Sequence, residues 1–238
     1  MQPYKRVLLK ISGEMLAGSG PMGIDPSTLN YIAEEIVAVH QQGAQVAVVV
    51  GGGNFIRGEM LSTQAGIDRT TADQMGMMGT VINSLALQSA VERQGVPVRV
   101  QSAIQVNQVA ESFIKRRAVR HLEKGRVVVF AAGTGNPYFS TDTAAVLRAL
   151  EVSADVLIKA TKVDGIYDKD PRKFDDAVKF STVGYTEAIT KRLAVMDQTA
   201  FTMCREHQLP IIVLDLNVKN AMVQALTGNS IGTLVAGE

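Results

Sequence analysis

The stretch that decides the fold is residues 127–150, V-V-V-F-A-A-G-T-G-N-P-Y-F-S-T-D-T-A-A-V-L-R-A-L. An unbroken apolar run over 127–132 stops at Gly133-Thr134-Gly135-Asn136-Pro137. A hydroxyl-rich turn with Tyr138, Ser140 and Thr141 follows, and Asp142 then opens an amphipathic helix. A strand that ends in glycines and re-enters a helix through Ser, Thr and Asp presents free backbone N–H groups at a positive helix end. That arrangement holds phosphate. Asp142 complicates it, because a carboxylate repels phosphate unless a metal ion or a lysine stands between them. The segment therefore predicts an anion and a cation at one site.

The same unit recurs outward from this stretch. Apolar runs at 7–11, 45–50, 97–100, 127–132, 156–159 and 211–214 read as buried strands, with a terminal strand at 232–236. Helical spacing intervenes from Leu29 to a stop at Gly43, over about 69–94, over 108–124 to Gly125, after Asp142, around 199–207 and over 221–226. Continuously hydrophobic strands alternating with helices indicate a parallel sheet covered on both faces. The expected fold is α/β: a three-layer α/β/α sandwich with a mostly parallel central sheet, residues 1–238 forming one domain. Neither a linker nor an internal repeat divides the chain.

Composition narrows the function. Lys and Arg total 24 against 23 Asp and Glu, so no global field attracts nucleic acid or a membrane surface. A lone cysteine, Cys204, permits no intramolecular disulfide, suits a reducing compartment, and in a helical context reads as a buried thiol. No apolar run approaches the roughly 18 residues of a membrane span, and the start of the chain has no signal-peptide pattern. A cytoplasmic protein is expected. The basic run Lys115-Arg116-Arg117 with Arg120, Lys124 and Arg126 lacks interleaved aromatics and reads as a solvated helix face.

In a parallel sheet, ligands gather at the carboxyl ends of the strands, where four loops converge. These are Lys10-Ile11-Ser12-Gly13-Glu14, Gly51-Gly52-Gly53-Asn54, the loop 134–142, and 159–165. Lys10 by itself also fits a lysine snorkelling at a sheet edge. Three consecutive glycines cost backbone entropy, which points to something approaching the backbone closely. Arg57 can fork onto a phosphate or be a surface cation. Asp73, within a helix, can accept hydrogen bonds from a sugar or merely be solvated. Met75, Met77 and Met78 read as core or a subunit contact.

The chain lacks G-x-x-x-x-G-K-[ST], a G-x-G-x-x-G ahead of a helix, and zinc-ligand spacing. His40, His121 and His207 all fall away from the glycine loops. Phosphoryl transfer onto a group already charged needs no histidine base, since a phosphate monoester ionises a second time near pH ~6. Catalysis then consists of positioning and charge neutralisation.

Taken together, K-I-S-G-E (10–14), V-V-V-G-G-G-N-x-x-R-G (48–58), D-Q-M-G-M-M (73–78), A-A-G-T-G-N-P-Y-F-S-T-D-T-A-A (131–145) and K-A-T-K-V-D-G-I-Y-D-K-D-P (159–171) resemble the bacterial UMP kinase branch of the amino-acid-kinase family. The resemblance covers nearly the whole chain. It implies transfer of the ATP γ-phosphoryl group to UMP, with Mg²⁺ held mainly by the ATP phosphates and no metal-ligating residue of the protein. It places Lys10, Ile11, Ser12, Gly13, Gly53 and Arg57 along the ATP phosphates, and Thr161, Tyr167 and Asp170 around the ATP nucleoside. Gly52, Asp73 (on the ribose), Thr134, Gly135, Asn136, Pro137, Tyr138, Phe139, Ser140 and Thr141 would hold UMP. Lys10 and Lys159 would neutralise the transferring phosphoryl, and Asp142 would orient those lysines or a Mg²⁺ shell.

The resemblance further implies a homohexamer, GTP as activator at Gly18, Ser19, Gly20, Pro21, Met22 and Gly23, and UTP as inhibitor. The N-terminal part would carry mainly the UMP site and subunit contacts, the C-terminal part mainly the ATP site. Gln74 stands where many relatives carry histidine, and Ser140 where threonine is usual. Two alternatives stay open: a kinase of the same fold acting on a carboxylate or carbamate, and a nucleotide sensor without turnover.

Overall fold

The computed structural model describes residues 3–56, 66–171, 173–191, 193, 196–229 and 231–237. Its strands are β1 (Arg6–Ile11), β2 (Gln45–Val50), β3 (Val98–Ser102), β4 (Glu111–Ser112), β5 (Val127–Ala131), β6 (Val156–Thr161), β7 (Thr182–Val183), β8 (Ile211–Asp215) and β9 (Thr233–Val235). Its helices are α1 (Gly13–Leu16), α2 (Pro26–Gln41), α3 (Arg69–Glu92), α4 (Lys115–Glu123), α5 (Thr141–Glu151), α6 (Tyr185–Thr190), α7 (Gln198–His207) and α8 (Ala221–Leu226). The strands form one sheet in the order β4-β3-β5-β2-β1-β6-β8-β9-β7. From β4 through β8 every pairing is parallel, and β9 joins β8 antiparallel.

The period of two sorts each strand between two cores. Val7, Leu9 and Ile11 with Val46, Val48 and Val50 face α2, α3 and α8, whereas Leu8, Ala47, Val49, Val128, Phe130 and Leu157 face α4, α5 and α7. Both faces are covered, so the central strands β1, β2, β5 and β6 are apolar through their middles, as a three-layer sandwich requires, and their charged or polar residues sit at or near the ends.

The helix expected over 108–124 is shorter than its periodicity implies. Phe113 N–H donates to Ser102 O at 2.9 Å and draws this segment to the sheet edge as β4. The Phe113 ring packs edge-on against Phe130, with centroids 5.5 Å apart. Val109 and Phe113 share helical spacing, but tertiary pairing overrides it, and α4 begins only at Lys115. The short elements α1, β4, β7 and α6 also escape the sequence reading. Cys204 is buried, and desolvation pushes its thiol up to about 12.

Candidate active site

The centre of the site follows from register. Lys10 on β1 stands directly beside Lys159 on β6. By alternation both side chains leave the sheet on the face of Leu8 and Leu157, which α5 covers. Both are nearly buried, at 6% and 8% exposure. α5 starts over these two strands, and Asp142 in its first turn enters between the lysines. Asp142 Oδ1 lies 2.9 Å from Lys10 Nζ, and Oδ2 lies 2.6 Å from Lys159 Nζ.

Burial alone would push the Asp142 carboxyl up, but the two lysines outweigh it and hold the group below the usual carboxylate range. Burial also disfavours the charged form of Lys159 and, with Lys10 repelling it, lowers that ammonium below its ordinary value despite Asp142. The result is a dry triad of two cations and one anion, with net charge +1. It meets the requirement set by the sequence, a cation between the carboxylate and any phosphate.

Backbone surrounds this triad. Ser12 occupies the N-cap position of α1, which follows β1 directly, with no capping bond from its side chain. A Cβ on Gly13 would sit 2.6 Å from Gly51 O and 2.7 Å from Gly53 N, so the first two loops touch backbone to backbone. Only glycine permits that approach. Arg57 lies outside the described residues. On the far side of β6, Thr161 turns the chain through its hydroxyl, which accepts from Val163 N–H at 3.0 Å. Tyr167 donates its hydroxyl hydrogen to Asp164 at 2.8 Å, and Asp170 follows in the same loop.

The loop 134–141 closes a separate cavity of about 390 Å³, lined among others by Gly52, Gly53, Asp73, Thr134, Asn136 and Thr141. Asp73 is already engaged, accepting from Arg69 Nε at 2.9 Å and from the Tyr138 backbone N–H at 2.8 Å. It holds the loop as well as facing the cavity. Ser140 is the N-cap of α5, accepting from the N–H groups of Asp142 (3.0 Å) and Thr143 (3.2 Å). Its hydroxyl also donates to Asp197. Gly135 and Pro137 shape this loop, and the side chains of Tyr138 and Phe139 are exposed.

Residues 18–23 pack against the triple-glycine loop. Gly23 N–H donates to Asn54 O at 2.8 Å, and Asn54 Nδ2 returns a bond to Gly23 O at 2.7 Å. A cleft of about 500 Å³ runs between Glu14, Gly20, Pro21, Met22, Asn54 and Lys162.

Asp197 is the principal residue that sequence reasoning missed. It caps α7 through Ala200 N–H (2.9 Å), and it receives the hydroxyls of Ser140 and Thr143. It thereby fixes the start of α5, and with it Asp142. An aspartate before a helical run is legible as a cap, but its partners more than fifty residues away are not. The three histidines stand apart from the triad. His40 bonds Gly125 O, His121 lies between Glu111 and Arg126, and His207 ends α7.

Two buried lysines on adjacent parallel strands, bridged by a carboxylate at a helix N-terminus, with glycine loops on one side and a nucleotide-sized cavity on the other, suit transfer of a phosphoryl group. Residues 5–215 match the amino acid kinase family. The chain belongs to the amino acid kinase family. Within that family, a uridylate kinase of Xanthomonas campestris pv. campestris is 54% identical over 234 residues, spanning 98% of this chain and 97% of that protein. The crystal structure of UMP kinase from Bacillus anthracis superposes with a TM-score of 0.96 at 38% identity, covering 99% of this chain and 97% of that one. UMP kinase from Ureaplasma parvum gives a TM-score of 0.92 at 35% identity, with 98% and 99% covered. The sheet, both helical layers and the strand-end loops therefore all belong to a shared amino acid kinase architecture.

Proposed function

We propose that this chain transfers the γ-phosphoryl group of ATP to UMP, giving UDP and ADP, as a step of pyrimidine nucleotide synthesis in the cytoplasm. The observation that carries the reading is the Lys10–Asp142–Lys159 triad between the glycine loops and the 390 Å³ cavity, in a chain 54% identical to a uridylate kinase. No helix among the described residues is long and apolar enough to cross a membrane.

The UMP phosphate is the nucleophile. Its second ionisation near pH ~6 leaves it charged at neutral pH, so no side-chain base is needed. Lys10 and Lys159 meet the oxygens of the transferring group and neutralise charge that grows as the bond to ADP loosens. Asp142 fixes both ammonium groups beforehand, so they need not reorganise during transfer. The backbone around Ser12, Gly13 and Gly53 lies along the ATP phosphates, with Ile11 at the end of β1 and Arg57 added from outside the described residues. Thr161, Tyr167 and Asp170 frame the ATP nucleoside. Gly52, Asp73 and the loop 134–141 hold UMP. In this reading the N-terminal part of the single domain supplies mainly the UMP site and subunit contacts, and the C-terminal part mainly the ATP site.

Both oxygens of Asp142 face lysines. These residues fit a Mg²⁺ ion carried by the ATP phosphates themselves rather than one held in a protein cage. Bound so, the ion would neutralise phosphate charge. GTP activation through residues 18–23, UTP inhibition and a homohexamer complete the proposal. The 500 Å³ cleft beside residues 18–23, bonded to the triple-glycine loop through Asn54, supports the first of these.

The test is ADP release with UMP, CMP, acetylglutamate and carbamate as acceptors, repeated with GTP or UTP present. Turnover with UMP far above the others is expected. Absence of UMP-dependent ADP release refutes the reading, and light scattering checks the hexamer.

A further inference from the structure

The long helix α3 crosses above both glycine loops, and one of its faces is polar where a core face would be apolar. Residues 73, 76, 80 and 83 share that face by helical spacing. Gly52 comes up against this face, since a Cβ on it would meet Gly76 O at 2.5 Å. Two buried side chains follow. Thr80 Oγ1 donates to Met77 O at 2.7 Å and accepts from the backbone N–H of Ala132 at 2.7 Å. Asn83 is 0% exposed and donates from Nδ2 to Gly51 O (2.7 Å) and to Asn54 Oδ1 (2.6 Å).

Ala132 has φ +62°, a left-handed conformation that costs any residue other than glycine. It is the hinge at which the chain leaves β5 and enters the acceptor loop. A strained backbone persists only where its surroundings hold it, and the Thr80 hydroxyl is a direct hold on that residue. Tyr138, at φ +70°, is the second left-handed non-glycine residue of the loop, and its N–H is held by Asp73 on the same helix. Asn83 acts on the other loop. By fixing Gly51 O it fixes the backbone on which Gly13 rests.

We propose that Thr80 and Asn83 are positioning residues of the phosphoryl-transfer site, holding the acceptor loop and the triple-glycine loop in register with one another. The proposal rests on the ATP-to-UMP reading above. Thr80 acts through Ala132 on the entry to the acceptor cavity, so its loss falls on UMP binding. Asn83 acts through Gly51 where donor and acceptor phosphates meet, so its loss falls on turnover.

The test combines Thr80→Val, Thr80→Ser, Asn83→Asp and Ala132→Gly in the full chain, with kinetics corrected for folded protein and with amide exchange. Thr80→Val leaves the Ala132 N–H unpaired and is expected to raise the UMP KM at least about fivefold with kcat within about twofold. Thr80→Ser keeps the hydroxyl and restores the wild-type KM. Ala132→Gly removes the strain and suppresses most of the Thr80→Val defect, a rescue that loss of bulk stability would not show. Asn83→Asp is expected to lower kcat at least about tenfold, with both KM values within about threefold.

Wild-type kcat and KM per folded molecule in both Thr80→Val and Asn83→Asp overturn the proposal. If Asn83→Asp does not fold, Thr80→Val decides alone. Amide exchange keeps the two readings apart. Faster exchange at Ala132 in Thr80→Val is expected whatever the substrate, while absence of UMP turnover in the wild type counts against the substrate reading only.

Discussion

Asp142→Asn removes the single negative charge from a site that holds two buried positive ones. The carboxylate oxygens lie 2.9 and 2.6 Å from Lys10 and Lys159. At an effective dielectric of about 20, each contact is worth roughly 6 kcal/mol of gross attraction. Desolvation offsets much of that, and removing one partner of a buried pair costs about 3–5 kcal/mol. In a chain of this length about 3 kcal/mol lowers Tm by roughly 6–12 °C. Asparagine is close in shape to aspartate, so the fold should persist. The lysines lose their fixed positions, and a donor no longer aimed at the developing charge costs about 10²–10³ in kcat.

Substrate affinity should move differently. The triad goes from net +1 to net +2, which favours phosphate, so the KM values for UMP and ATP should stay level or fall. The pH profile adds a second signature. Burial and Lys10 already depress the Lys159 ammonium, and Asp142 opposes them. Without Asp142 the depression deepens. Activity that needs the protonated lysine is lost as pH rises through its pKa, so the alkaline limb moves to lower pH. The assay is coupled ADP release at varied UMP and ATP, with thermal unfolding of the same samples. A UMP KM that rises in proportion to the lost kcat/KM, with kcat unchanged, would show that Asp142 binds substrate and refute the reasoning.

Three shorter expectations accompany it. Gly13→Ala places a Cβ 2.6 Å from Gly51 O and should separate the two phosphate loops, costing roughly 10²-fold in kcat/KM for ATP in a folded protein; kinetics close to wild type would refute the contact. Ser140→Ala removes the cap of α5 and the bond to Asp197, so a stability loss of about 1 kcal/mol in denaturant titration should come with reduced turnover, and Ser140→Thr should restore both. The Cys204 thiol, pushed up to about 12 by burial, should resist iodoacetamide at pH 8 in the native state and react once the chain is unfolded.

Continuous burial wrote the central strands plainly into the sequence. Residues 46–50 and 127–131 are apolar at every position because both of their faces are covered. The edges were harder to read. β4 and β7 are two residues long and exist only because a neighbour offers backbone groups, so no local periodicity marks them. The left-handed residues Ala132 and Tyr138 were hidden for a related reason. Glycine announces such a conformation by its identity, whereas an alanine is forced into it by bonds from a helix about fifty residues earlier in the chain.

The triad marks the line between local and topological information. Read alone, Lys10 fits a side chain snorkelling at a sheet edge, and Asp142 fits the acidic first turn of any helix. Neither residue changes, but the connection from β5 to β6 passes back over β2 and β1, and β6 pairs with β1 on its far side. The helix on that connection, α5, must therefore begin across the tips of β1 and β6. Register sets Lys10 beside Lys159, alternation turns both toward α5, and the first turn of α5 supplies the carboxylate between them. A lysine at a sheet edge would extend into water. Here the neighbouring strand and the crossing helix close that route, and a fixed anion 2.9 Å away meets the ammonium instead, which leaves the pair of lysines with one net charge to offer a phosphate.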